Sequence, residues 1–281
     1  MPYICSVGTS LPQHNLTQTE IKQLVNEIFP RPEEEKQRLL SVFDHANIEN
    51  RQFVVPPSWF TKNHSFEDRN KLYQQQAITH ALCAIDNCLT DNQFLAEPIP
   101  FEAVDAIIFV SSTGISTPSI DAHLINRRNF RQNIVRMPLW GLGCAGGTSG
   151  LARAYEYLQY NRKGVVLVIC VELCSLTFQK DDARKSNFIG TALFGDGISA
   201  ALLIGEKSNL LNYRKSVTPK IRNVESLLIK DTINVMGWDI TNSGFEVIFS
   251  KNIPKLVETV LKQHINQFLA QQKLPSNNTD F

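Results

Sequence analysis

Pro138-Leu-Trp-Gly-Leu-Gly-Cys144-Ala-Gly-Gly-Thr-Ser-Gly150 decides the fold, because a cysteine set among glycines here opens an apolar helical pattern. The apolar residues that follow at helical spacing are Leu151, Ala154, Tyr155 and Leu158. They predict a helix that begins at about Ala145, with Cys144 at its amino end. Backbone N–H groups and the helix dipole favour a thiolate at that place. They also suit a carbonyl oxygen that becomes an oxyanion.

Two interpretations of Cys144 are open from the residues alone. It is either a nucleophile or a small structural cysteine buried in a tight strand-to-helix turn, since free cysteine is among the most buried residue types. A single cysteine indicates a nucleophile only when a base is found to activate it.

The composition is that of an ordinary globular protein. With 281 residues, 43% of them hydrophobic, the chain is expected to form one large domain or two. A net charge of +1 argues against nucleic acid or an anionic membrane as partner. The six cysteines form no CxxC pair and no zinc-type spacing with histidine, so we expect reduced thiols and no metal site. Without a signal peptide pattern or a run of 18 apolar residues, the expected location is the cytoplasm.

Helical and strand patterns alternate along the chain, which predicts an α/β architecture. Helices are predicted at 17–29, 33–45, 66–89, 119–127, 145–164 and 252–272. Strands are predicted at the amino terminus and at 51–55, 103–110, 135–140, 164–172, 198–205, 221–229 and 245–249. Thr17 and Glu20 have the spacing of a capping box at the start of the first helix. The polar stretch 206–222 predicts a boundary between a domain 1–205, which carries Cys144, and a domain 206–281.

Four motifs together resemble the chalcone and stilbene synthases, the type III polyketide synthases, in a form closer to the bacterial members. They are the Cys144 stretch, Val171-Glu-Leu-Cys-Ser-Leu-Thr-Phe178, Gly190-Thr-Ala-Leu-Phe-Gly-Asp-Gly197 and Gly244-Phe-Glu-Val-Ile-Phe-Ser-Lys-Asn-Ile-Pro254. The resemblance implies a thiolase-like αβαβα layered fold built from two similar halves, and a homodimer. It also implies that Cys144 takes an acyl group from acyl-CoA, which is then condensed with malonyl-CoA. Both CoA thioesters are substrates, and no cofactor is expected.

The same resemblance implies which residues bind the substrate. Phe194 matches a phenylalanine that gates the pocket, whereas Val247 stands where the family has a second one. The pocket is therefore expected to be wider at Val247 and to suit a differently shaped starter, for instance a fatty acyl chain. Cys174 and Thr177 are further substrate-binding candidates. Thr117 matches a position that reaches into the partner subunit's pocket.

Other family features are poorly matched. For the basic CoA contacts of the second helix, Arg38 and His45 are the nearest candidates. The family's histidine in a His-Pro-Gly-Gly motif and its downstream asparagine have no counterpart among these 281 residues. The second half is therefore expected to be incomplete, and this chain is expected not to condense malonyl-CoA.

Three functions consequently remain open. They are a carboxy-terminally truncated polyketide synthase-like acyltransferase, a non-catalytic acyl-binding or interaction protein of the same fold, and a ketoacyl carrier protein synthase III-like enzyme. The Leu193-Phe-Gly-Asp-Gly197 turn favours CoA over a carrier protein.

Overall fold

Helices and strands alternate through most of the protein, whose computed structural model describes residues 1–273. The strands are β1 (Tyr3–Ser10), β2 (His14–Thr17), β3 (Asn50–Phe53), β4 (Ala106–Ser111), β5 (Val135–Trp140), β6 (Val165–Leu173), β7 (Asp196–Ile204), β8 (Met236–Thr241) and β9 (Gly244–Phe249). The helices are α1 (Gln18–Ile28), α2 (Glu33–His45), α3 (Pro57–Phe60), α4 (Phe66–Thr90), α5 (Ile120–Ile125), α6 (Gly146–Tyr160), α7 (Lys185–Leu193), α8 (Ile253–Leu256) and α9 (Lys262–Gln271). A π-helical turn, Val257–Leu261, joins the last two.

A five-stranded mixed sheet in the order β1-β7-β6-β4-β5 forms the centre of the molecule. Strand β4 runs parallel to β5 and β6, while β7 is antiparallel to β6 and β1. The carboxyl ends of β4, β5 and β6 therefore meet at one edge, which is the usual place for ligands in α/β sheets.

Both faces of the sheet are covered, which explains the nearly continuous apolar runs of β4 and β6. Side chains alternate between the faces. Ile107 and Phe109 belong to the larger core with α4, whereas Ile108 and Val110 belong to a second core with α6. The sheet is thus the middle of three layers.

Two small antiparallel sheets lie outside this centre. Strand β2 pairs with β3, and β8 pairs with β9 in a hairpin that packs against α7. The hairpin turns at Gly244, whose φ of 119° lies in the region that favours glycine.

Most predicted elements are confirmed, with three corrections. Strand β5 has the predicted bounds, and both halves of the Thr17–Glu20 capping box form. The strand predicted at 221–229 is wrong, since no strand forms there and Leu228 is 86% exposed. Helices α3 and α7 and strands β2 and β8 were not predicted. The last helix is interrupted by the π turn instead of running unbroken.

Residues after 205 form backbone hydrogen bonds with the first part of the chain. The backbone N–H of Ile4 donates to Pro219 O, and that of Ala96 donates to Tyr213 O. The division into 1–205 and 206–281 stays a prediction. No helix within residues 1–273 is both long and apolar enough to cross a bilayer.

Candidate active site

The turn that carries Cys144 joins the end of β5 to the start of α6. Gly141 and Gly143 have φ values of 81° and 52°, which a residue with a side chain rarely adopts. A 3₁₀ turn over Gly143–Ala145 leads into α6, which begins at Gly146. Cys144 is exposed, so the interpretation of a buried structural cysteine is wrong.

Close packing seats α6 on the central sheet. A Cβ at Gly150 would lie 2.8 Å from Val168 Cγ1 and 3.1 Å from Val110 Cγ2. Only glycine lets the helix approach β4 and β6 so closely, and the approach fixes Cys144 at their carboxyl ends.

Glu172 is held by the loop that follows β4. The backbone N–H of Ser112 donates to Glu172 Oε2 at 3.1 Å, and its hydroxyl donates to Oε1 at 3.0 Å. Burial raises the pKa of Glu172, although these hydrogen bonds act in the opposite direction. The carboxylate therefore ties β4 to β6 beside the Cys144 turn.

Cys174 is half-buried and Asp196 is buried, and both lie next to this edge. Burial raises the pKa of the Cys174 thiol well above its usual value, and negative charge at Glu172, Asp196 and Cys144 adds to the effect. Asp196 accepts from the Ser175 N–H and hydroxyl and from the Val54 N–H. Burial still raises the pKa of Asp196 to about 6.

A narrow apolar cavity opens beside Cys174. The first part of the chain lines it with Leu16, Ile21, Leu24, Val25, Ile28, Phe53 and Phe60. The later part lines it with Cys174, Ser175, Thr177, Phe178, Asn187, Gly190, Thr191, Phe194, Trp238 and Val247. Four of the residues predicted to bind substrate, Cys174, Thr177, Phe194 and Val247, thus surround one space. Their role in binding stays a prediction.

The hairpin closes one side of this cavity with aromatic rings. Trp238 on β8 pairs with Val247 on β9, and its ring centroid lies 6.1 Å from that of Phe194. Phe249 lies 6.2 Å from Phe194 on the same side. The sequence analysis did not identify Trp238 as a residue of this wall. Its indole ring adds aromatic bulk beside Val247, where the valine predicted a wider pocket.

The remaining candidates lie elsewhere. Thr117 is exposed and lines a separate cleft with Ile115 and Trp140. Arg38 and His45 are exposed on α2. Neither Thr117 nor Cys144 is among the residues that line the apolar cavity.

No histidine in the described part of the chain hydrogen-bonds to Cys144. His80 pairs with Ser10, and His64 contacts Trp59 O. His264 lies 3.9 Å from Glu225, with 22% of its side chain exposed. Residues 1–273 also hold no group of three or more His, Cys, Asp or Glu side chains suited to a metal ion.

Comparison with known proteins identifies relatives along nearly the whole chain. A family model described as "Chalcone and stilbene synthases, N-terminal domain" matches residues 2–207. A Bacillus subtilis protein described as a "putative chalcone synthase" is 49% identical over 98% of this chain and 75% of its own length. The 1,3,6,8-tetrahydroxynaphthalene synthase of Streptomyces peucetius is 30% identical over 96% of this chain and 70% of its own length.

A solved structure extends this likeness to three dimensions. The 1,3,6,8-tetrahydroxynaphthalene synthase of Streptomyces coelicolor, a bacterial type III polyketide synthase, has a TM-score of 0.89 at 27% identity. The match covers 99% of this chain and 76% of that one. The predicted thiolase-like layered α/β fold is therefore confirmed.

Proposed function

Because the chain belongs to the chalcone and stilbene synthase family, the type III polyketide synthases, we propose that it transfers an acyl group from acyl-CoA to Cys144. One observation carries the proposal: Cys144 is exposed on a glycine turn at the amino end of α6, and its charge acts on Cys174, which lines the apolar cavity. The other thiols suit the role less well. Burial raises the pKa of Cys170 to about 11 and that of Cys88 to about 12.

The loading step needs one nucleophile and one leaving group. The Cys144 sulfur attacks the thioester carbonyl, and the N–H groups at the start of α6 favour the negative charge that develops on its oxygen. Collapse of that intermediate forms the new thioester and expels CoA as a thiolate. CoA takes up the proton that Cys144 lost, so the products are acyl-enzyme and free CoA.

The lining of the cavity supports a fatty acyl chain as the transferred group. Its polar side chains already have protein partners: Thr177 donates to Cys174 O, Thr191 to Asn187 O, and Asn187 to Gln179 O. Ser175 donates to Asp196. The hydroxyl and amide donors of these residues are therefore already used, whereas an alkyl chain needs none and gains about 0.8 kcal/mol per buried CH₂.

Condensation requires more than the loading step. Loss of carbon dioxide from malonyl-CoA leaves an enolate, and losing one preorganised donor to such an anion typically costs about 10²–10³ in rate. None of the six histidines approaches Cys144 through a hydrogen bond in the described structure. We therefore propose that a polypeptide of these 281 residues loads acyl groups without condensing them.

A second copy of the chain is part of the proposal. Strand β5 lies at the edge of the sheet, and Val135 and Trp140 on it are 39% and 49% exposed. Thr117 is also exposed. It lies near the same edge, since Thr117 and Trp140 line one cleft. These features support a homodimer in which β5 lies at the interface.

The loading step is tested by mass mapping of peptides after brief treatment with decanoyl-CoA. We expect the acyl group on Cys144 and its absence in Cys144→Ser. Cys83→Ser is the matched control, since Cys83 is the other exposed thiol but lies within α4. Acylation that survives in Cys144→Ser would disprove the proposed nucleophile.

Condensation is tested separately, by carbon dioxide release from malonyl-CoA. We expect release at the background rate from the 281-residue polypeptide, with or without decanoyl-CoA. Turnover that depends on Cys144 would show that other residues replace the missing donors.

The loading experiment also tests the alternative function. If decanoyl-CoA acylates no thiol, that result would favour a non-catalytic acyl-binding protein.

A further inference from the structure

Arg51 on β3 is a buried cation without a carboxylate partner among the described residues. Only 7% of its surface is exposed, and burial lowers the pKa of its guanidinium to about 10, so it remains charged at neutral pH. Removing a charge from water without a counter-charge is costly. The contacts of Arg51 therefore indicate what the charge does.

The guanidinium contacts the carboxyl end of α7 in two ways, directly and through Gln18 on α1. Nη1 donates to Thr191 O at 2.7 Å and to Phe194 O at 2.6 Å. Nη2 donates to Gln18 Oε1 at 2.7 Å. Gln18 in turn donates to Ala192 O at 3.0 Å. Arg51 and Gln18 together thus bind three carbonyl groups at the carboxyl end of α7, where such groups lack partners within the helix and the dipole is negative.

The residue that follows α7 is Phe194, and it is anchored from two sides. Arg51 holds its carbonyl oxygen, and two residues later Asp196 accepts from Val54 N–H at 2.7 Å. Arg51 and Val54 belong to the same short segment of chain. The backbone of Phe194 is therefore fixed between two bonds that come from one strand and its continuation.

This anchoring decides where the Phe194 ring lies in the cavity wall. The ring packs against Trp238 and Phe249 of the hairpin, and a Cβ at Gly190 would lie 3.3 Å from it. A shift of the Phe194 backbone would move the ring relative to these neighbours and alter the length of the apolar space.

We propose that Arg51 is a positioning residue that fixes Phe194 in the cavity wall and so sets the acyl chain length that the cavity accepts. The proposal rests on the proposed function for the identity of the ligand. Lysine cannot replace arginine here, because one ammonium group cannot reach Thr191 O, Phe194 O and Gln18 together.

The first test compares acylation of Cys144 by a short and a long acyl-CoA in Arg51→Lys. We expect discrimination between the two to fall about tenfold, as for a lost buried hydrogen bond to a charged group. Alkylation of Cys144 by iodoacetamide should be unchanged. Arg128→Lys is the matched control, since Arg128 pairs with Asp86 and lines no part of this cavity. Unchanged discrimination in Arg51→Lys would overturn the proposal.

The second test is independent of acylation. Hydrogen exchange of the amides of 191–196 should accelerate in Arg51→Lys, while exchange within β6 stays as in the parent protein. Unchanged exchange at 191–196 would also overturn the proposal. If the parent protein is not acylated, the proposed function fails and exchange alone decides the role of Arg51. Should Arg51→Lys not fold, the same measurements on Gln18→Met decide it.

Discussion

At the scale of single residues, Asp196 shows two opposing effects on one carboxyl group. Three donors, the Ser175 N–H and hydroxyl and the Val54 N–H, stabilise its charged form. Burial opposes them and prevails, because the pKa rises from 3.8 to about 6. The neutral form is therefore favoured in the folded protein relative to the unfolded chain.

The stability of the protein should consequently depend on pH through Asp196. A raised pKa in the folded state gives a contribution that is complete below about pH 4 and is lost as the pH rises through 6. A shift of about two units corresponds to about 3 kcal/mol. We expect the free energy of unfolding of the parent protein to fall relative to that of Asp196→Asn between pH 4 and 6, measured by urea unfolding. A constant difference across that range would contradict the assignment.

At the scale of elements, the contact between β1 and α4 is made backbone to backbone. Ser6 Oγ donates to Cys88 O at 2.7 Å, and a Cβ at Gly8 would lie 2.3 Å from both Ala84 O and Cys88 N. Neither atom can move without displacing α4. The strand and the helix therefore need glycine at this position.

Gly8→Ala should lower the free energy of unfolding by about 1–3 kcal/mol or more, as overpacking does. Gly197→Ala is the control, because it lies on β7 of the same sheet and a Cβ there meets nothing within 4 Å. Urea unfolding measures both variants. Equal stabilities would show that β1 and α4 separate at little cost.

The hairpin offers a second prediction at this scale. Val247 is 6% exposed in the cavity wall opposite Trp238, so Val247→Phe should shorten the acyl chains that load on Cys144. Trp238→Ala should lengthen them. The change is expected to reach about tenfold for each methylene that no longer fits. A series of acyl-CoAs with mass detection measures it.

Ile248→Phe serves as the control for Val247→Phe, because neighbouring residues of a strand point to opposite faces. We therefore expect shorter preferred acyl chains in Val247→Phe, longer ones in Trp238→Ala and an unchanged preference in Ile248→Phe. An identical preference in all three would place the chain-length determinant outside the hairpin.

Local patterns in the sequence predicted most helices and strands. The features that were not predicted depend on contacts between residues far apart in the chain. The Thr17–Glu20 capping box and strand β5 follow from local spacing. The apolar residues of 221–229 also suit a strand, but β9 pairs with Met236–Thr241 instead. At the site, resemblance predicted Phe194 and its neighbours. It did not predict the wall formed by α1, because Leu24 and Phe194 line the same cavity only in the folded protein.

At the scale of the whole molecule, two of the exposed apolar surfaces on the described residues bear on association. One is the edge strand β5, and the other is the π-helical turn between α8 and α9, where Val257, Val260 and Leu261 are 46%, 38% and 39% exposed. An unpaired strand edge and an exposed apolar patch both favour association.

We expect the 281-residue polypeptide to associate with itself as its concentration rises, as measured by sedimentation velocity. A charge on an edge strand opposes pairing, so Val135→Lys should weaken the association. Val217→Lys should leave it unchanged, since Val217 is 94% exposed outside any strand. Equal association of both variants would place the interface elsewhere, with the π-helical turn the next surface to test.

The pairing of β1 with β7 has a consequence for how the protein is made. Tyr3 pairs with Ile204, and without β7 there is no strand beside β1 in the central sheet. The first strand must therefore wait for about 200 residues to be synthesised, which takes roughly 10–40 s at ribosomal rates. Contacts so distant in sequence also slow folding itself. During this delay the nascent chain exposes apolar strands, so we expect its yield in cells to depend on chaperones that bind before the ribosome has passed codon 204.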